Sequence, residues 1–141
     1  MAIHRPSISI DQAISGSFFA EGAVYQYMAV KKGTADNQVK PLDSGDTTVT
    51  VVEGIALADA DDGASVPVIL LGPCMGRANG AVTRGDLLEA IYSATTLLNG
   101  SLKTLATCAA GGMMTARALE DAADGAYFMV MVECRKQLAV A

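Results

Sequence analysis

Residues 56 to 70 read Ala-Leu-Ala-Asp-Ala-Asp-Asp-Gly-Ala-Ser-Val-Pro-Val-Ile-Leu, and residues 118 to 132 read Ala-Leu-Glu-Asp-Ala-Ala-Asp-Gly-Ala-Tyr-Phe-Met-Val-Met-Val. Eight of the fifteen positions are identical at a constant offset of 62 residues, more than alanine richness alone would produce. Upstream, at an offset of 63, Gly22, Lys40 and Leu42 align with Gly85, Lys103 and Leu105. We therefore predict two tandem pseudo-repeats, at about residues 22–74 and 85–136.

Each copy has the pattern of a turn followed by a strand. The pairs Asp62-Gly63 and Asp124-Gly125 suit a tight turn, because aspartate tolerates left-handed backbone geometry and glycine has no Cβ. Alternation then predicts one core face, formed by Val66, Val68, Leu70, Phe128, Val130 and Val132. The opposite face is also apolar, so a second sheet or another subunit must cover it. We take five residues of that face as a candidate oligomer interface: Ile69, Leu71, Tyr127, Met129 and Met131.

Residues 86–98 carry conflicting signals. Asp86 and Glu89 have the spacing of a helix capping box, and Leu87, Leu88, Ile91 and Leu98 recur at helical spacing. The corresponding part of the first copy, residues 22–36, has the composition of a strand. We give priority to the repeat, predict a strand here too, and so predict an all-β fold.

The first 21 residues lie outside the repeat. Pro6 and the Gly16-Ser17 pair would interrupt a long element, so we predict an extended N-terminal arm, followed by a single β domain over residues 22–141. Its large apolar residues need a surface to lie on, either a partner's or one end of the chain's own domain. The candidate contact residues are Ile3, Ile8, Ile10, Phe18 and Phe19.

The composition excludes several classes of function. The 141 residues are 51% hydrophobic and carry a net charge of −5, which favours a protein that hides surface in an assembly and disfavours nucleic acid as a partner. The longest apolar stretch is too short to span a bilayer, so we expect no membrane partner. Three cysteines without a CxxC motif indicate a reducing compartment rather than a disulfide framework.

Two chemical alternatives remain. A cysteine hydrolase would need His4, the only histidine, to meet one of Cys74, Cys108 and Cys134, and no surrounding motif favours it. A cation could bind the acidic residues of the two turns, but the run lacks the trailing glutamate of a calcium loop. We therefore predict no catalytic residue, no metal site and no cofactor.

The combination of motifs resembles the small capsid cement or head-decoration proteins of tailed bacteriophages. The matching pieces are Gly54-Ile55-Ala56-Leu57 with Asp62-Gly63, the strand at residues 66–71, Gly85-Asp86, and Ala118-Leu119 with Asp124-Gly125 and the strand through Val132. The second copy departs from the pattern, with Arg117 in the place of Ile55 and a helix-like run at residues 86–98. The likeness covers roughly residues 22–133.

This resemblance implies a compact β-barrel or β-tulip, and a structural protein without enzymatic activity. Such a protein is made in the host cytoplasm, binds the major capsid protein on the outer face of the virion, commonly as a homotrimer, and stabilises the coat lattice. The acidic charge suits the capsid exterior. The alternative in the same setting is another small β component of the virion, such as a tail-tube or fibre-associated protein.

Overall fold

A computed structural model of the protein describes residues 13–46, 52–105 and 113–136, and within these residues the chain is all-β. The described strands are β1 (Ile14–Ala20), β2 (Ala29–Lys32), β3 (Gln38–Pro41), β4 (Val52–Ala56), β5 (Ser65–Arg77), β6 (Leu87–Ile91), β7 (Ser101–Thr104), β8 (Met113–Ala118) and β9 (Tyr127–Lys136). Among the described residues there is no α-helix, and so no helix that is long and apolar enough to cross a membrane. The predicted all-β class is confirmed.

The first five strands close into a barrel. Strand β1 pairs in parallel with β3 and antiparallel with β5, while β2 joins β3 to β4 and β4 pairs with β5. Each of the five strands therefore has a neighbour on both sides, which removes the exposed edges of an open sheet. The predicted barrel is confirmed.

The other four strands extend from the same long strand. The second half of β5 pairs with β9, and the sheet continues through β8 and β6 to β7. A parallel bridge between Ala78 and Leu102 brings β7 back beside the end of β5. Strand β5, at 13 residues, thus serves both the barrel and the second sheet.

The core has two main clusters of buried side chains, one in each half. The first fills the barrel with Ala20, Val24, Met28, Val30, Val39, Ala56, Ala60, Val66 and Val68. The second lies beneath the other sheet and includes Ile55, Ile69, Leu88, Leu102, Phe128, Val130 and Val132. Burial of a side chain of this size contributes roughly 1.5–3 kcal/mol to stability, so the buried residues of β5 and β9 contribute strongly to the stability of the fold.

Two predictions about the chain's early and middle segments have clear outcomes. Residues 87–91 form β6, followed by a single 3₁₀ turn at Thr96–Leu98, so the choice of a strand over a helix is confirmed. Residues 14–20, by contrast, are not part of an arm: they form β1, whose hydrogen-bonded neighbours are β3 and β5. The physical reason is that β1 fills the gap between β3 and β5 and satisfies their backbone hydrogen bonds, which closes the barrel.

The aspartate of each Asp-Gly turn accepts a hydrogen bond from the backbone amide of a glycine far away along the chain. In the first half, the Gly22 amide donates to Asp62 Oδ1 at 2.9 Å, and in the second half the Gly80 amide donates to Asp124 Oδ1 at 2.8 Å. Both donor glycines have positive φ, 82° and 83°. The counterpart of Gly22 in this bond is therefore Gly80, at an offset of 58, and not Gly85, which the sequence alignment paired with it.

A second pair of hydrogen bonds repeats at the same offsets. The Gln26 amide donates to Asp59 Oδ1 at 2.7 Å, and the Arg84 amide donates to Asp121 Oδ1, also at 2.7 Å. The acceptors are 62 residues apart and the donors 58, so donor and acceptor are four residues further apart in the second half than in the first. The two halves share these turn contacts, while a tandem duplication of the whole unit stays a prediction.

Candidate interaction surface

Strands β5 and β9 form a two-stranded ribbon, and its outer face carries most of the residues predicted to form an oligomer interface. Residues on the two strands alternate between buried and partly exposed positions, and those that face outward pair across the ribbon. We call these eight residues the ribbon face: Leu71 with Glu133, Pro73 with Met131, Met75 with Met129, and Arg77 with Tyr127.

The eight residues of the ribbon face are apolar along its centre and charged at its ends, and on the neighbouring strand β8 the exposed Arg117 pairs with Met131 beside that centre. Leu71 is 47% exposed and Tyr127 49% exposed, while the proline and the three methionines between them are partly buried. Methionine is flexible and polarisable, which suits a surface that must fit a partner. An uncharged centre with a tyrosine and an arginine at one end has the composition of a protein–protein contact.

The inner side of the ribbon keeps this face rigid. Phe128, Val130 and Val132 are at most 1% exposed and pack into the second core cluster. At Gly76 the backbone approaches β7 so closely that an added Cβ would lie 2.5 Å from Leu102 Cδ1. Because the buried side is packed in this way, the outward side chains stand in a fixed register.

Arg77 is held in place at one end of the ribbon face. Its Nε donates to the Gly125 carbonyl at 3.1 Å, and its Nη1 donates to the Leu97 carbonyl at 3.0 Å. The guanidinium carbon lies 5.4 Å from the centroid of the Tyr127 ring, within the range of a cation–π contact. Tyr127 in turn meets Tyr27 edge to face, with 5.7 Å between the ring centroids.

The opposite end of the ribbon face continues onto β1. Ile14, which pairs with Leu71, is 59% exposed. Leu70, Leu71, Glu133 and Cys134 border a shallow cavity of about 300 Å³ beside this pair. The apolar surface therefore runs from Tyr127 to the point where the described chain begins.

Four of the five candidate interface residues lie together on the ribbon face: Leu71, Tyr127, Met129 and Met131. The fifth, Ile69, is only 2% exposed, so its assignment to the interface is wrong. Ile69 pairs with Ile55 across β4 and β5, and both side chains pack into the second core cluster. The second sheet covers this part of the barrel's outer side.

The residues of the predicted arm have separate positions. Phe18 packs against the barrel core, and Phe19 is 54% exposed on β1. Ile3, Ile8 and Ile10 lie outside the described residues. Nothing in the structure brings the described phenylalanines into the ribbon face.

Sequence reasoning missed four members of the ribbon face: Glu133 on β9, and Pro73, Met75 and Arg77 on β5. The signal for the three on β5 is the alternation of that strand, which continues through Gly72-Pro73-Cys74-Met75-Gly76, and the signal for Glu133 is the alternation of β9. The glycines and the proline favoured a connecting segment instead. Pro73 lies on the strand, Gly72 and Gly76 are buried, and at Gly76 the backbone packs closely against Leu102.

The described cysteines are poor nucleophiles. Burial raises the pKa of the Cys74 thiol to about 11, and backbone hydrogen bonding by Met75 opposes part of the shift. Burial, with a smaller effect of the Glu53 carboxylate, raises the pKa of Cys134 to about 12. Both thiols are therefore protonated near neutral pH. His4 and Cys108, the other partners of the hydrolase hypothesis, lie outside the described residues.

The acidic residues of the turns serve the fold. Asp59, Asp62, Asp121 and Asp124 each accept a backbone amide, and Glu120 Oε1 accepts the Met129 amide at 2.9 Å. Within residues 13–46, 52–105 and 113–136, no group of three or more metal-ligating side chains comes together. These carboxylates stabilise turns by capping amides that have no strand partner.

Comparison with known proteins shows a fold similar to that of a virion protein. No protein-family model matches the sequence, and no curated protein matches it. Among solved structures, the chain is similar to the N base of the head fibre gp8.5 of bacteriophage phi29, with a TM-score of 0.59 and 18% sequence identity. The similarity covers 90% of this chain and 98% of that one. At this identity the likeness concerns the fold.

Proposed function

We propose that the protein is a structural component of a phage virion that binds the outer surface of the head and stabilises the coat lattice. The observation that carries the proposal is the ribbon face, a rigid apolar surface whose centre is uncharged. The fold likeness to a phage head-fibre base supports the same setting. The major capsid protein is the proposed partner, and virion exterior the proposed location.

In this proposal the ribbon face joins copies of the chain into a homotrimer. Three copies related by a three-fold axis can pack the apolar centres of their ribbon faces around that axis. Capsid contact is then left to the N-terminal residues Ile3, Ile8 and Ile10 and to the exposed Phe19. A short extended segment can add to a strand edge of the coat protein through main-chain hydrogen bonds.

The proposal includes no enzymatic activity, no nucleic-acid contact and no membrane contact. The raised pKa values of Cys74 and Cys134 oppose a thiolate mechanism. The net charge of −5 opposes binding to phosphate backbones. Stabilisation would follow from mass action: a protein that binds the assembled lattice and not free coat protein contributes about 2.7 kcal/mol when present at 100 times its dissociation constant.

The decisive experiment is cosedimentation with heads of the cognate phage that lack this protein, with unexpanded proheads as the control particle. We expect saturable binding to mature heads and a higher temperature of head rupture. Saturable binding that leaves head stability unchanged would contradict cementing, and absence of binding to both particles would contradict the capsid proposal altogether.

One matched pair of variants tests the ribbon face through the oligomeric state of the free protein. Met129→Lys places a cation beside Met75 at the centre of the face, and its flexible stem allows the ammonium to reach solvent without unfolding the strand. Ala81→Lys adds the same charge at an exposed loop position. Analytical ultracentrifugation should show a trimer for the wild type and Ala81→Lys, and a monomer for Met129→Lys; a trimer in all three would contradict this interface.

A second candidate function is the attachment base of a head fibre. The specific observation in its favour is the similarity to the phi29 fibre base over nearly the whole chain. A base would bind heads in the same assay without changing their resistance to heat, and so head stability separates the two candidates. A tail component would bind neither particle.

A further inference from the structure

All four tyrosines of the chain border two adjoining clefts. The narrower cleft is lined by Tyr25, Tyr27 and Tyr127, together with Arg77 and Leu97. The wider cleft, of about 380 Å³, lies between Tyr25 and Tyr92. The two clefts share Tyr25, Met28 and Asn99 as a common wall.

The fold holds this arrangement in place through one close approach. Gly100 packs so tightly on the Ala29 backbone that an added Cβ would lie 2.6 Å from the Ala29 carbonyl oxygen, and its φ of 76° suits glycine. The Ala29 amide donates to the Gly100 carbonyl at 3.1 Å. This contact holds the segment that contains Tyr92 close to the segment that contains Tyr25.

The side-chain amide of Asn99 makes two further hydrogen bonds that anchor the same segment. Its Nδ2 donates to the Leu42 carbonyl at 2.9 Å, and its Oδ1 accepts the Ser93 amide at 3.3 Å. The amide of Asn99 is therefore occupied in orienting the loop rather than open to a ligand. Tyr92 is 39% exposed at the edge of the wide cleft, and it lies on a loop that hydrogen bonds hold in place at both ends.

The chemistry of the walls selects a class of ligand. Among the described residues that line the two clefts, none is acidic and Arg77 is the one cation, although the protein has a net charge of −5. The other polar groups are hydroxyls and amides. A nucleic-acid strand would require several cations along its backbone.

We propose that the tyrosine clefts bind a saccharide. The C–H face of a pyranose ring is apolar and slightly positive at hydrogen, so it packs on the negative face of a tyrosine ring. Hydroxyls such as those of Ser93 and Thr96 can exchange hydrogen bonds with sugar hydroxyls. A cleft of about 380 Å³ lies within the size range of small-molecule sites. The site is separate from the centre of the ribbon face, and the inference does not depend on capsid binding.

Intrinsic fluorescence provides a direct assay, because the chain has no tryptophan and all its tyrosines border the clefts. The full chain is titrated with maltotetraose, with the tetramer of N-acetylglucosamine and with mannotetraose. We expect a saturable change with at least one of them, at a dissociation constant of about 1 mM or tighter. A linear response to all three would overturn the proposal.

Two matched variants make the result specific. Tyr92→Ala should weaken binding at least tenfold, since it removes an exposed wall of the wide cleft. Phe19→Ala, which removes an exposed aromatic ring outside both clefts, should leave the titration unchanged. Unchanged binding by Tyr92→Ala would overturn the assignment. So would a change in its oligomeric state on sedimentation, because the cleft would then be a subunit contact.

Discussion

Replacing Asp62 and Asp124 separately with alanine should destabilise the protein to the same extent. Each carboxylate accepts one backbone amide, from Gly22 at 2.9 Å and from Gly80 at 2.8 Å. A hydrogen bond to a charged group contributes roughly 1.5–3 kcal/mol, and water can replace part of it at these exposed turns. We therefore expect a loss of about 1–2 kcal/mol in the free energy of unfolding for each variant.

The double variant should lose about the sum, roughly 2–4 kcal/mol, because the two turns share no hydrogen-bond partner. Each single variant should unfold about 3–6 °C lower in calorimetry, given the scaling for a chain of this size. Urea unfolding followed by circular dichroism measures the free energies directly. Asp62→Asn keeps an acceptor oxygen and should recover most of the loss.

Asp61→Ala is the matched control for the first turn. Ala123 takes the corresponding position in the second half, and the Asp61 side chain makes no hydrogen bond within the described residues. Asp61→Ala should therefore change stability by less than about 0.5 kcal/mol. If it destabilised as much as Asp62→Ala, or if the Asp62 and Asp124 variants differed by more than about 1 kcal/mol, the two turns would not be equivalent.

Two further predictions test packing and thiol chemistry. Gly54→Ala should destabilise by about 1–3 kcal/mol or more, because a Cβ there would collide with the Ile69 carbonyl oxygen. Gly45→Ala, with no atom within 4 Å of its Cβ, should be neutral or stabilise by about 0.4–1 kcal/mol; equal unfolding midpoints in urea would contradict this contrast. In the native protein at neutral pH, iodoacetamide should label Cys74 about 100-fold and Cys134 about 1,000-fold more slowly than in the denatured chain, since their pKa values rise from 9.0 to about 11 and about 12. Mass spectrometry of labelled peptides measures both rates, and rapid native labelling of either thiol would argue for a reactive site.

The local patterns that predicted correctly are those whose physics is local. An aspartate followed by glycine predicts a turn because the backbone geometry concerns two residues, and Gly63 and Gly125 have φ values of 83° and 81°. The same holds for the alternation in β9, where each buried side chain is two residues from the next. At residues 87–91 the helical spacing was misleading, and pairing with β7 and β8 determined the strand.

The sites depended on contacts between distant parts of the chain. Ile69 and Leu71 have the same parity on β5, yet only Leu71 is exposed, because the second sheet covers Ile69. The tyrosines come from three separate segments, and no spacing along the chain relates Tyr25 to Tyr92. Their proximity follows from the packing of Gly100 on Ala29.

Short-range pattern was therefore sufficient to predict the Asp-Gly turns and the inward face of β9, whereas the all-β class was predicted only with the help of the repeat. The turns and the inward face depend on the backbone preferences or the alternation of neighbouring residues. Tertiary structure alone decided that β1 closes the barrel, that β5 continues through Pro73 to serve two sheets, and which apolar residues remain exposed. Burial is a property of the surface that another segment covers, and the sequence of a strand does not specify which segment will cover it.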